Sequence, residues 1–243
     1  MNFYAVIIGT EILNGRRQDA HFEFVKDELA KYGHELFSSF IIKDDVTLMT
    51  QVYEMIKADK DAVMFSFGGI GSTPDDLTRE IASRVFTNAD LVPHKQFLAD
   101  IITRFGHKSY PHRIHMADLS PKAELLFNPV NNMSGFSLFN KYFFVPGFPN
   151  MAHPMIKNVI ASHFSEAVIK YRQTLYAHTS EETLITLMQR LPTDIELSCL
   201  PLFIKEKAHM ELSLSSTNKN LNNEYFEVFK TELNKKNIYY KLM

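Results

Sequence analysis

The sequence has one cysteine, almost no net charge and no long apolar run, and each shortage excludes something. A lone thiol, Cys199, cannot close an internal disulfide, so the fold must rest on its core. Because Cys199 sits in an apolar, strand-like run, it reads as a buried and inert side chain, which fits a reducing cytoplasm. With 26 Lys and Arg against 28 Asp and Glu the net charge is −2, and no basic cluster supplies the electrostatic footprint that nucleic acid demands. The Lys-rich ending is balanced by Glu224, Glu227 and Glu232 and reads as a solvated helix face. The apolar stretch after Met1 is only about six residues with no basic lead, so neither a signal peptide nor a membrane span is expected.

What is there suffices for real cores: 243 residues, 45% of them hydrophobic, 20 of them Phe. The most informative stretch runs from Asp61 to Thr78, DAVMFSFGGIGSTPDDLT. Ala62 to Phe67 is an apolar run that suits a strand buried on both faces. Gly68, Gly69 and Gly71 then free the backbone, and Thr73-Pro74-Asp75-Asp76 has the signature of a helix start, with Thr73 as N-cap, Pro74 at the first helical position and Asp76 as the capping-box acid. Glycines remove side chains that would hold an anion off, and the first N–H groups of a helix lack intrahelical partners, so the joint is a cradle of phosphate size. Two carboxylates beside a phosphate either hold a divalent cation such as Mg²⁺ or merely cap the helix, and the sequence leaves both readings of Asp75 and Asp76 open.

The rest of the first half repeats strand and helix. Phe3–Ile8 leads into Gly9-Thr10-Glu11-Ile12-Leu13-Asn14-Gly15; a helix spans Asp19 to Tyr32 with Phe22, Val25, Leu29 and Tyr32 in register; and Leu36–Ile42 ends on Asp44-Asp45. Asp45 can cap a helix with Leu48, Val52, Met55 and Ile56 on one face. This β-α-β-α-β-α order predicts a mostly parallel sheet covered on both faces, in which ligands bind beyond the carboxyl ends of the strands. Thr10 with Glu11, Asp44 with Asp45, and the 68–76 segment all leave such ends. A helix from His94 to Phe105, strands at Glu124–Phe127, Gly135–Leu138 and Tyr142–Val145, and a helix from Asn150 to about His163 follow. After Ser165 the pattern restarts. Strands at Thr174–Ala177, Ile195–Leu200, His209–Leu214 and Ile238–Tyr240 are interleaved with a helix capped by Thr179 and Glu182 and one carrying Phe226, Phe229 and Leu233. That is β-α-β-β-α-β, the split order of ferredoxin-like domains. The expected division is 1–165, a three-layer α/β domain, and 172–243, a small α+β domain serving structure or oligomerisation.

Taken together, Gly9 to Gly15, Gly68 to Thr78, Asn128-Pro129-Val130 with Gly135-Phe136, and Val145-Pro146-Gly147-Phe148-Pro149 resemble the MoaB/Mog domain of CinA-type proteins. The resemblance covers residues 1 to about 160, and the chain looks like the short form without the nicotinamide-nucleotide deamidase domain. It implies a cytoplasmic, homo-oligomeric protein that binds molybdopterin or a nucleotide. In CinA-type members it further implies metal-dependent cleavage of a pyrophosphate such as that of ADP-ribose. By position, Gly68, Gly69, Gly71, Ser72 and Thr73 would hold phosphate, Asp44 and Asp76 would hold a divalent metal, and Asp76, Asp44 and Glu11 would be the catalytic carboxylates. The chain departs from the family pattern at Thr10, where aspartate is usual, at Lys43, where glycine is common, and at Asn131-Asn132, where a glycine-threonine pair usually lies. One carboxylate is thereby lost and one cation gained near the expected phosphates. Three functions follow as expectations: hydrolysis of a dinucleotide pyrophosphate, binding of molybdopterin or a nucleotide without chemistry, and assembly alone.

Overall fold

A computed structural model describes residues 1–243, which fall into two compact units, Met1–Ala167 and Val168–Met243. No helix in either is long and apolar enough to cross a membrane.

The first unit is a mixed six-stranded sheet between two helical layers. In chain order it comprises β1 (Asn2–Ile8), a short α1 (Thr10–Leu13), α2 (His21–Ala30), β2 (Leu36–Ile42), α3 (Val46–Ala58), β3 (Ala62–Phe67) and α4 (Thr78–Ala82), which widens into a π turn over Ser83–Thr87. Next come β4 (Val92–Pro93), α5 (Lys95–Phe105), β5 (Asp118–Leu119), β6 (Ala123–Leu126), β7 (Gly135–Leu138), β8 (Tyr142–Val145) and α6 (Pro149–His163). The sheet order is β2-β1-β3-β8-β7-β6; the first four strands run parallel, β7 runs against them, and β6, antiparallel to β7, runs with them again. β4 and β5 form a separate two-stranded ribbon.

Strand alternation assigns the two cores. Tyr4, Val6 and Ile8 of β1 point to one layer, where Met49, Val52, Tyr53 and Ile56 of α3 meet Phe97 and Ile101 of α5. Phe3 and Ile7 point to the other, against Val25 and Leu29 of α2 and Met155, Ile156, Val159 and Ile160 of α6. β3 is buried on both faces, its apolar run broken only by Ser66.

Three local expectations are corrected. The face α3 buries is turned by one position: Leu48 and Met55 are exposed, and Met49 and Tyr53 lie inward, the Tyr53 hydroxyl bonding Ser66 Oγ at 2.8 Å. Asp45 does cap this helix, accepting from Leu48 N at 2.8 Å. The helix expected from Pro74 begins only at Thr78. Residues 73–77 instead form turns: the Asp76 carboxylate accepts from the Thr73 N–H, as a capping box would, but the Thr73 hydroxyl donates to the same carboxylate instead of capping the Asp76 N–H, which goes to Thr73 O.

The second unit contains β9 (Tyr171–Ala177), α7 (Ile185–Met188), β10 (Glu196–Ile204), β11 (Lys207–Ser216), α8 (Lys219–Lys235) and β12 (Tyr240–Leu242), with an antiparallel sheet ordered β10-β11-β9-β12. Phe226, Phe229 and Leu233 of α8 close its core over Leu175, Leu212 and Leu214. The capping box at Thr179 and Glu182 does not form: the Thr179 hydroxyl bonds that of Thr183 at 2.6 Å, and only 3-10 turns and the short α7 follow. β-branched Thr183, Ile185 and Thr186 weaken the longer helix.

One polar contact is buried between α2 and α6. His21 stacks on Phe67 with ring centroids 4.3 Å apart, and its Nε2 lies 3.3 Å from the Gly147 carbonyl. A carbonyl can only accept, so Nε2 carries the proton and Nδ1 accepts from His153 Nε2 at 3.2 Å. Burial, more than the neighbouring Arg17 and His153, pushes His21 down to about 4, against an ordinary value of 6.5. The folded state thus binds this proton less readily than the unfolded state, and between those two values stability rises with pH. Urea unfolding should show a plateau above about pH 7 and a loss of at most about 3 kcal/mol from this site as pH falls from 6.5 to 4. His21→Gln should flatten the slope; an unchanged slope would place the titrating group elsewhere.

Candidate functional site

Because β2, β1, β3 and β8 are parallel, their carboxyl ends share one edge, and five loops meet there: those after β1, β2, β3 and β8 and the one joining β6 to β7. Between them lies a cleft of about 520 Å³ lined by Glu11, Arg17, Asp44, Gly68 to Thr73, Asp75, Asp76, Asn131, Ser134 and Gly147, with an apolar wall of Phe97, Phe105, Met116, Met133 and Met151. That size suits a small ligand.

The glycine loop owes its shape to close backbone packing. Gly68 has φ +100, and a Cβ there would stand 2.6 Å from the Ile8 carbonyl oxygen. Its N–H is taken by the Val145 carbonyl at 3.0 Å, so Gly68 gives the loop its course rather than a donor. Three carbonyls of the loop, those of Gly68, Gly69 and Gly71, are held from the helix side. Thr78 donates its hydroxyl to Gly68 O at 2.9 Å and its N–H to Gly69 O at 3.0 Å, and the Arg79 guanidinium donates to Gly71 O. In a trans peptide C=O and N–H point oppositely, so the amides of Gly69, Ile70 and Ser72 face away from that helix. The N–H groups of Gly69, Ile70, Gly71 and Ser72 have no acceptor within the protein. Arg79 is buried beneath them, and burial lowers its affinity for its proton while Asp76 and Asp118 oppose the loss.

The carboxylates are placed with equal definition. Asp44 accepts on one oxygen, Oδ2, from both the Thr10 N–H (3.0 Å) and the Thr10 hydroxyl (2.9 Å), so Thr10 ties the first loop to the second. Asp76 also accepts on Oδ2 alone, from Thr73 N (2.8 Å) and Thr73 Oγ1 (2.6 Å), and a Cβ at residue 71 would lie 2.6 Å from that oxygen. Each aspartate keeps Oδ1 free of protein donors. Glu11 turns toward Arg17, whose Nη1 lies 3.8 Å from its Oε1. No group of three or more His, Cys, Asp or Glu side chains is close enough to hold a metal ion unaided.

All the residues marked in the sequence for phosphate, metal or catalysis therefore lie along this one cleft: Glu11, Asp44, Gly68, Gly69, Gly71, Ser72, Thr73 and Asp76. Thr73, however, has both its donors turned to Asp76. Lys43 does not line the cleft, and Asn131 does, donating to Met151 Sδ at 2.9 Å. Arg17, Thr78, Arg79 and Arg113 went unread. Thr78 closes the glycine-rich motif and Arg79 follows it, at the start of the helix, a signal the sequence does carry; nothing local marks Arg17 or Arg113.

The close approach at Gly68 has a measurable consequence. Gly68→Ala should cost at least about 2 kcal/mol from strained φ and the Ile8 clash, whereas Gly15→Ala, with φ +78 and open space around it, should cost about 1 kcal/mol. Urea denaturation of the two variants checks this, and equal losses would mean that the packing against Ile8 is not tight.

Comparison with known proteins agrees with this architecture. Residues 4–166 match the family described as "Probable molybdopterin binding domain". The chain is 30% identical over 157 residues to a CinA-like protein of Acaryochloris marina, covering 62% of this chain and 37% of that one. It is 26% identical over 231 residues to a CinA-like protein of Desulfotalea psychrophila, covering 90% and 55%. The chain thus spans less than two thirds of the length of these relatives. Among solved structures, the protein CinA of Thermoplasma acidophilum, of unknown function, superposes with a TM-score of 0.60 at 25% identity, over 67% of this chain and 98% of that one. Sheet order, glycine loop and a match over 4–166 lead to one conclusion: the chain belongs to the molybdopterin-binding-domain family and is CinA-like within it.

Proposed function

We propose that the cleft binds a ligand joining a phosphate group to a flat heterocycle, a nucleotide or molybdopterin. The observation that carries this reading is the run of four amides, Gly69 to Ser72, without protein acceptors on one side of the cleft. Such a nest, with the buried Arg79 cation beneath it, matches a phosphate's oxygens. The opposing wall of Phe97, Phe105 and three methionines suits a ring face.

A second reading, hydrolysis of a dinucleotide pyrophosphate such as ADP-ribose, is favoured by the free Oδ1 atoms of Asp44 and Asp76. The lining carboxylates Glu11, Asp44, Asp75 and Asp76 outnumber the lining guanidiniums of Arg17 and Arg113 by two, so an anionic ligand needs a counter-cation. Mg²⁺ commonly takes one or two carboxylates and completes its shell with water and phosphate oxygens. Asp44 and Asp76 suit that arrangement, and a cation there would neutralise charge on the pyrophosphate. The chain's own part is to hold the phosphates on the 69–72 amides and to orient a water through Asp76 Oδ1 for attack on phosphorus. Glu11, turned to Arg17, is less available for that task. A cytoplasmic location and a homo-oligomeric state belong to the same reading, as does a ferredoxin-like second unit, whose exposed edge strand β10 offers an assembly surface.

Calorimetric titration with ADP-ribose and with molybdopterin tests binding. Gly69→Val, whose side chain would run into Thr78, should abolish it, and Ser72→Ala should weaken it by about tenfold, one hydrogen bond to a charged group. Parent-like binding by Gly69→Val, with circular dichroism unchanged, would remove the phosphate from this loop. For hydrolysis, Asp76→Asn should lower turnover at least about tenfold, while costing under about 1 kcal/mol because an amide oxygen still accepts from Thr73. Undiminished turnover would reduce Asp76 to a structural residue.

A further inference from the structure

The cleft holds a cation whose position neither composition nor motif explains. The backbone of Arg17 is fixed by its N–H on the Glu11 carbonyl at 3.0 Å, and its side chain crosses to the turn after β8, where Nη2 donates to Gly147 O at 3.3 Å. The guanidinium carbon lies 5.5 Å from the centre of the Phe148 ring, and Phe148 is itself largely exposed. A guanidinium offers five N–H donors, and this one makes a single hydrogen bond within the protein. Its other partner is the Glu11 carboxylate at 3.8 Å, beyond hydrogen-bond reach, with both side chains more than a third exposed. An ion pair of that kind contributes little and is readily exchanged. Arg113, by contrast, is committed elsewhere: it stacks 4.7 Å over Phe105 and donates to the Lys108 carbonyl at 2.7 Å.

We infer that Arg17 is a second anion-binding group of the cleft, held by Glu11 until a phosphate of the ligand takes the carboxylate's place. The inference rests on the reading of the glycine loop as the first phosphate site. Gly147 O and the Phe148 ring hold the guanidinium at the turn after β8, while the donors facing Glu11 stay available. A phosphate oxygen offers the same charge as the carboxylate at shorter range, and the planar fork of arginine fits it with two parallel hydrogen bonds. Glu11 then acts as a competitor that keeps Arg17 neutralised in the free protein and becomes available when the anion binds. A ligand with two linked phosphates engages both the 69–72 amides and Arg17, and a single phosphate engages the amides alone.

The test uses inorganic pyrophosphate and orthophosphate as probes, titrated by calorimetry with Mg²⁺ present. Arg17→Gln should weaken pyrophosphate about ten- to a hundredfold and leave orthophosphate unchanged. Arg17→Lys should recover part of the loss, since charge remains but the fork does not. Glu11→Gln should strengthen pyrophosphate binding, because a competing charge is removed. Thermal unfolding verifies that each variant is folded, and orthophosphate serves as the internal control for the shape of the loop. Arg17→Gln binding pyrophosphate like the parent, or losing both anions in equal proportion, would overturn the inference and leave the reading of the glycine loop standing. A parent protein that binds neither anion would overturn both.

Discussion

Everything at the ligand edge depends on how closely β3 leaves the sheet past β1. At Gly68 the chain turns within van der Waals range of the Ile8 carbonyl and of Gly147, and only a hydrogen fits where a side chain would be. From that point Thr78 and Arg79 hold the next carbonyls on the helix side, and peptide planarity sets the opposing amides outward. The shape of the loop is thus a product of three constraints acting in series: parallel strand register, one tight backbone crossing and two residues, Thr78 and Arg79, that donate from a helix that starts late.

That late start is also where the sequence misleads. Thr73-Pro74-Asp75-Asp76 has every local mark of a helix N-terminus, and an N-terminus beside glycines is a familiar phosphate site. The carboxylate of Asp76 nonetheless bonds back onto Thr73, and the helix begins at Thr78 with its first amide already given to Gly69 O. The amides left without a partner therefore belong to the loop. Either arrangement leaves backbone amides unpaired beside the glycines, so the place of the cleft was legible even though the local geometry was not.

The order of strands and helices in the first unit was readable because periodicity is strong: β3 is apolar but for Ser66, and β1 feeds two opposite cores with alternate side chains. Strand adjacency was not, and with it went Arg17, whose meaning comes from Gly147 and Phe148, far along the chain. The buried face of α3 was read one position off because Tyr53 gains a buried partner in Ser66 that no pattern in α3 itself reveals. Thr10 acquires its part in the same way. By sequence it is a lost carboxylate, and in the fold its two donors fix Asp44.

The family relation makes residues 4–166 a probable molybdopterin-binding domain, and the phosphate and heterocycle contacts proposed above rest on the unpaired loop amides and on the aromatic and methionine wall of the cleft. The most direct measurement is a ¹H–¹⁵N correlation spectrum of the labelled protein titrated with ADP-ribose. If the amides of Gly69, Ile70, Gly71 and Ser72 receive a phosphate, their resonances should move together and saturably, and further downfield in the proton dimension than any others. Saturable shifts confined to other parts of the chain, with these four unmoved, would contradict the assignment of the loop as the phosphate site.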